Sequence, residues 1–140
     1  MLHVEDIEKA SRFYRALGFA ETAAYPGADG ELTVAFLGYG TSMLLLGRRD
    51  QLHYENRARA AKIRRGPLGL GAVITLSVPD LAKVYAVVRK ARLEVMLAPV
   101  DEFYGDRVFM FLDPDGYEWK ISQTIAEVGA REVAAAIRGG

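Results

Sequence analysis

A short stretch of this chain occurs twice. Val4-Glu5-Asp6-Ile7-Glu8-Lys9 lies over Val78-Pro79-Asp80-Leu81-Ala82-Lys83, matching valine, aspartate, an aliphatic residue and lysine. The same spacing sets Arg15 on Arg89, and Gly40 answers Gly116 ahead of a strand near the end of each copy. A chain that repeats itself in this way builds one structural unit twice, and each copy leaves a face for something else to cover.

Within the first copy, Leu2-His3-Val4-Glu5 alternates apolar and polar, as a half-buried strand does. Asp6 stands where a helix N-cap is needed, and Ile7, Ala10, Phe13, Tyr14 and Leu17 follow at helical spacing up to Gly18. Strands are predicted over 19–25, 32–37 and 42–46, divided by Pro26-Gly27, Asp29-Gly30 and Gly38-Tyr39-Gly40. The second copy repeats the order: a strand over 72–78, an N-cap at Asp80, a helix over 81–92, then strands over 94–98, 107–112 and 117–122. Asp113-Pro114-Asp115-Gly116 is a strong turn signal before the last of these. Each copy is therefore a βαβββ module, the first over 1–47 and the second over 72–123. Between them, 48–65 is highly charged and predicts a surface helix, followed by a glycine-rich hinge that completes the connection over 48–71. An Ala- and Glu-rich tail, 124–138, predicts an appended helix. The expected fold is α+β: one domain of 140 residues, with a curved mixed sheet around a cavity.

Composition removes several functions. Basic and acidic residues number 18 each, whereas a nucleic-acid binder that neutralises phosphates carries a basic excess. No apolar run approaches the roughly 20 residues that span a bilayer. The first residues are acidic where a secretory signal would be basic and then apolar, so a cytoplasmic protein is expected. With no cysteine and only His3 and His53 as histidines, any metal site would be built almost wholly from carboxylates.

The run from Asp6 to Phe19, with Ala10, Phe13-Tyr14 and Leu17-Gly18-Phe19 at fixed spacing, resembles the signature of the vicinal oxygen chelate superfamily. That group comprises glyoxalases, extradiol dioxygenases and bleomycin-resistance proteins. Tyr104-Gly105-Asp106-Arg107 and the segment from Asp113 to Trp119 extend the resemblance to the second copy. These are turn, cap and core residues, so they imply a fold more than an activity. In metal-using members of the group, His or Glu ligands come from the first and last strands of each half. Carried onto this chain, one such place falls before Met1 and the others on Val73, Leu44 and Lys120. A valine and a leucine offer no lone pair, and an ammonium repels a cation. The resemblance is therefore closest to metal-free members, and no cofactor is expected.

Strand alternation suggests what lines the cavity. Placing Val73 and Lys120 inward brings Glu118 with Lys120, and puts His3 and Glu5 inward on the first strand. On the seventh strand the registry implied by the resemblance turns Arg107, Phe109 and Phe111 inward. The candidate ligand-binding set is His3, Glu5, Leu44, Tyr104, Arg107, Phe109, Phe111, Glu118 and Lys120, with Leu46 among the apolar walls. Each has a plainer reading. His3 reads also as a structural histidine, Glu118 and Lys120 as partners at an exposed strand end, and Phe109 and Phe111 as core aromatics. The leading functional expectation is a metal-independent binder of an aromatic or cationic small molecule, of the antibiotic-sequestering bleomycin-resistance type. The resemblance implies a homodimer. The alternative is a glyoxalase- or dioxygenase-like enzyme with a divergent or metal-free site, using His3 with Glu118 or Glu5 as acid and base.

Overall fold

The computed structural model describes residues 1–51 and 54–140. The chain divides into two compact units, Met1–Leu68 and Gly69–Gly140, with the boundary inside the expected hinge. In the first, β1 (Leu2–Val4), α1 (Ile7–Ala16), β2 (Ala20–Pro26), β3 (Leu32–Tyr39) and β4 (Ser42–Arg48) form a sheet of order β1-β4-β3-β2. The second repeats the plan with β5 (Val73–Ser77), α3 (Leu81–Lys90), β6 (Val95–Asp101), β7 (Asp106–Leu112) and β8 (Glu118–Thr124), in the order β5-β8-β7-β6. In both sheets the first and last strands pair in parallel and the other pairs are antiparallel. Two βαβββ modules are thus present.

The duplicated aspartates act as read. Asp6 Oδ1 accepts from the Lys9 N–H at 2.9 Å, and Asp80 Oδ1 from the Lys83 N–H at 3.2 Å. Each satisfies one of the donors orphaned at a helix start. α1 then buries Ile7, Ala10 and Tyr14 on its sheet-facing side, and α3 buries Leu81, Val84 and Val88. Gly18 ends the first helix at φ +109°, a conformation that side-chain-bearing residues rarely adopt.

Two expected boundaries move. The helix expected over 48–65 is confined to α2 (Arg57–Arg65), capped by Asn56, whose side chain accepts from the Arg59 N–H. Arg48 instead closes β4, because pairing with Val4 of β1 holds it in the sheet, and Arg49–Gln51 form a 3-10 turn. Leu52 and His53, within that expected helix, lie outside the described residues. At the other end β8 continues to Thr124, so the tail helix α4 (Ala130–Gly139) starts later than expected.

Candidate functional site

Cross-strand partners in a sheet share a face, so register decides which residues look away from the helices. In the first unit Val4, Ala35, Leu37 and Leu46 are buried on the α1 side. His3 alternates to the other face, opposite Gly47. The Met1 side chain packs over Gly47, its Sδ 2.8 Å from where a Cβ would stand. His3 Nε2 and the Tyr54 hydroxyl share a hydrogen bond of 3.1 Å, with the two rings edge to face. Burial, assisted by the positive charges of the N-terminal ammonium and then of Arg59, lowers the His3 pKa below 6.5 and so favours the neutral imidazole.

His3 and Tyr54 line a cavity of about 880 Å³. One side of it is a chain of polar contacts. The Thr33 hydroxyl donates to Gln51 Oε1 at 2.6 Å, and Gln51 Nε2 donates to Asp29 at 3.0 Å. Arg48 pairs with Asp29 at 2.9 Å and makes two 2.8 Å hydrogen bonds to Asp50. The carboxyl pKa of Asp29 is lowered first by the Glu31 N–H and then by Arg48, and that of Asp50 is lowered chiefly by Arg48. Arg64, from α2, completes the charged part of the lining.

In the second unit Trp119 and Ile121 are buried on the α3 side, which leaves Glu118 and Lys120 on the opposite face. Lys120 Nζ donates to the Tyr104 hydroxyl at 2.9 Å and lies 5.4 Å from the centre of that ring. Two aspartates, at the two ends of β7, fix its neighbours. Asp106 accepts from Ser122 at 2.6 Å and Thr124 at 3.0 Å, and buried Asp113 accepts from the N–H groups of Asp115 and Tyr117 and from the Trp119 indole.

Of the expected residues, His3 lines the first unit's cavity, and Tyr104 meets Lys120 on the second sheet, with Glu118 on the same face. Six others are placed differently. Glu5 lies beyond the end of β1, where its exposed carboxylate pairs with Arg49 at 3.1 Å. Leu44 and Leu46 pair with Leu37 and Ala35, and so face α1. Phe109 and Phe111 pair with Ile121 and Trp119, and are fully buried on the α3 side, Phe109 edge-on to Tyr85 at 5.1 Å. Arg107 shares their face at the sheet's rim and forms two hydrogen bonds with Asp101. The residues that line the first cavity beside His3, notably Tyr54, Gln51 and Arg64, went unread because 48–65 looks like a solvated linker. Tyr54, an aromatic within a charged run, was the available signal.

Comparison with known proteins is now informative. The model of the Glyoxalase/Bleomycin resistance protein/Dioxygenase superfamily matches residues 1–121. This chain belongs to that superfamily. An uncharacterized protein of Mycobacterium tuberculosis is 29% identical over 140 aligned positions, covering 97% of this chain and 79% of that protein. Among solved structures, TioX from Micromonospora sp. ML1 is similar at a TM-score of 0.66 and 18% identity, covering 88% of this chain and 94% of that one. A bleomycin resistance determinant encoded on transposon Tn5 is similar at 0.58 and 21% identity, covering 89% and 94%. At these identities the structures speak for the fold alone.

The superfamily includes metal-dependent enzymes, so the fit of a metal to this chain can be tested on its donors. Leu2 and Leu76 are 74 positions apart, as are Asp6 and Asp80, and their parallel partners are Leu46 and Ile121, 75 apart. Lys120 is therefore matched in the first unit by Leu45, one residue from the position that counting from Gly40 suggests. Leu45, Val73 and Lys120 include no donor for a divalent cation. Among the described residues no three His, Cys, Asp or Glu side chains are grouped to hold one. Among the described residues, those at these places do not fit a metal.

Proposed function

We propose that this superfamily member is a metal-independent small-molecule-binding protein that sequesters or senses its ligand unchanged. The observation that carries this reading is the first unit's cavity of about 880 Å³, within the range of small-molecule sites and lined by the apolar Met1, Ala28 and Val34 together with polar and charged side chains. The lack of donors at Leu45, Val73 and Lys120 supports metal independence. Of the aromatic and cationic ligands left open by the sequence, aromatic ones suit the His3 and Tyr54 rings better. Sequestration of the antibiotic-resistance kind, a cytoplasmic setting and a homodimer belong to the same proposal, through the resemblance to bleomycin-resistance proteins.

A second reading has one observation in its favour. A neutral His3 hydrogen-bonded to Tyr54 beside a cavity is equipped to move a proton, as a metal-free enzyme would need. Two measurements decide between them. Metal analysis of the purified protein should find no stoichiometric zinc, nickel, manganese or iron. A thermal-shift panel of antibiotics and aromatic metabolites should yield hits that chelator does not alter and that are recovered intact. Bound metal required for turnover would overturn the proposal, and chemical conversion of a hit without metal would establish the second reading instead. A monomer in sedimentation would remove the homodimer.

A further inference from the structure

One element beside the cavity is strongly cationic. α2 reads Arg57-Ala58-Arg59-Ala60-Ala61-Lys62-Ile63-Arg64-Arg65: five cations and no acid in nine residues. It packs on the 3-10 turn that carries Asp50 and Gln51. Arg64 reaches the cavity lining, where the charged side chains among the described residues are Arg48, Asp50 and Arg64. Asp50 and its neighbour Asp29 are both engaged by Arg48, which limits what either offers to a cationic guest. Arg59 on the same helix is close enough for its charge to act on His3. The chain's overall neutrality therefore conceals a local excess of positive charge along one edge of the site.

Resting on the binding function proposed above, we propose that the ligand of this cavity bears an oxyanion, such as a carboxylate or a phosphate, on an apolar, aromatic body. The body lies against His3 and Tyr54, and the anion is drawn by Arg64 and Arg59. A guanidinium at the rim suits an oxyanion because it presents several donors in one plane and stays charged throughout the physiological pH range. A cationic guest would face the same helix with the opposite sign.

Three matched probes test this by calorimetry on the full chain: 2-naphthoate, 2-naphthamide and 2-naphthylmethylammonium. Naphthoate should bind at least about tenfold more tightly than either other probe, and raising the salt concentration should erode the preference. In Arg59→Gln/Arg64→Gln, both exposed positions, the preference should fall to about threefold or less while naphthamide affinity is kept. Arg59→Lys/Arg64→Lys should retain most of it. The chain's two histidines make the location readable by NMR: naphthoate should move the imidazole signals that vanish in His3→Gln. Equal or stronger binding of the ammonium or the amide would overturn the anion inference and leave the cavity's binding role intact. Binding of naphthoate that leaves the His3 signals unmoved would also overturn it. No binding by any of the three, together with a blank thermal-shift panel, would remove the binding function itself.

Discussion

In the first unit the helix supplies aromatic bulk to the layer between helix and sheet. Tyr14 of α1 is buried, while β3 contributes Ala35 and Leu37 to the same layer. In the second unit the positions matching Phe13 and Tyr14 are Val87 and Val88, and the sheet brings Phe109, Phe111 and Trp119. Ala35 and Phe109 correspond because their partners, Leu46 and Ile121, do. The duplication thus exchanges which element brings aromatic bulk to the layer, within the close packing of a core.

That exchange can be broken at its largest side chains. Phe109→Ala should cost about 3–5 kcal/mol in urea unfolding, the range for emptying an aromatic site in a packed core. Ala35→Phe, its converse, should cost about 1–3 kcal/mol by overpacking. Combining Ala35→Phe with Tyr14→Val moves the bulk from helix to sheet, as in the second unit, and should recover part of that loss. A cost below about 1 kcal/mol for Phe109→Ala would place the ring on the open face after all.

The turns before the last strands differ as much. The first unit joins β3 to β4 through Gly40-Thr41, whereas the second uses a longer loop gathered on the buried Asp113 carboxylate. Asp113→Ala removes the acceptor of two backbone N–H groups and an indole N–H, and should cost about 2–3 kcal/mol. The loss should be visible as early exposure of Trp119 fluorescence. Trp119 is the chain's single tryptophan, so the signal reports on this unit alone. If Asp113→Ala unfolds at the wild-type denaturant midpoint, the loop does not depend on that carboxylate. On the open face the expected effect is smaller. Tyr104→Phe deletes the hydroxyl that Lys120 donates to, and should change stability by about 1 kcal/mol or less because Lys120 is only part-buried. A larger loss would mean that this pair holds the sheet together.

The same comparison shows what was legible in the sequence. The modules were, because Asp6, Asp80 and the glycine-bearing turns act through short-range geometry that a residue string displays directly. Facing on β5 and β8 was legible too: Ile74 and Leu76 alternate with Thr75 and Ser77, and Trp119 and Ile121 with Glu118 and Lys120. On β7 and β4 it was not. Val108 and Met110 are as apolar as Phe109 and Phe111, and Leu44, Leu45 and Leu46 run together, so period-two alternation has no phase to read. The cavity was half legible. His3 stood out as a rare residue on an alternating strand. Tyr54 and Arg64, which line the cavity with it, lie 51 and 61 positions away, and only folding brings them to the same cavity.

The smallest expected effect follows from His3, which has no counterpart in the second unit: Ser77 occupies the matching place. A histidine whose pKa is lowered by folding contributes nothing to the pH dependence of stability well above 6.5, because both states are then neutral. As pH falls through 6.5 the unfolded chain takes up the proton first, so stability should decline until the folded-state pKa is passed and then level off. Asp29 and Asp50 act in a separate, lower window. Their pKa values are lowered from 3.8 by folding, so the stability they give is present above that value and lost as pH falls through their folded-state pKa. Denaturant midpoints measured between pH 7.5 and 5 therefore isolate the histidines, and His3→Gln should flatten the decline while leaving the acid limb in place. A decline that persists unchanged in His3→Gln would assign it to another group and remove the neutral imidazole from the cavity wall.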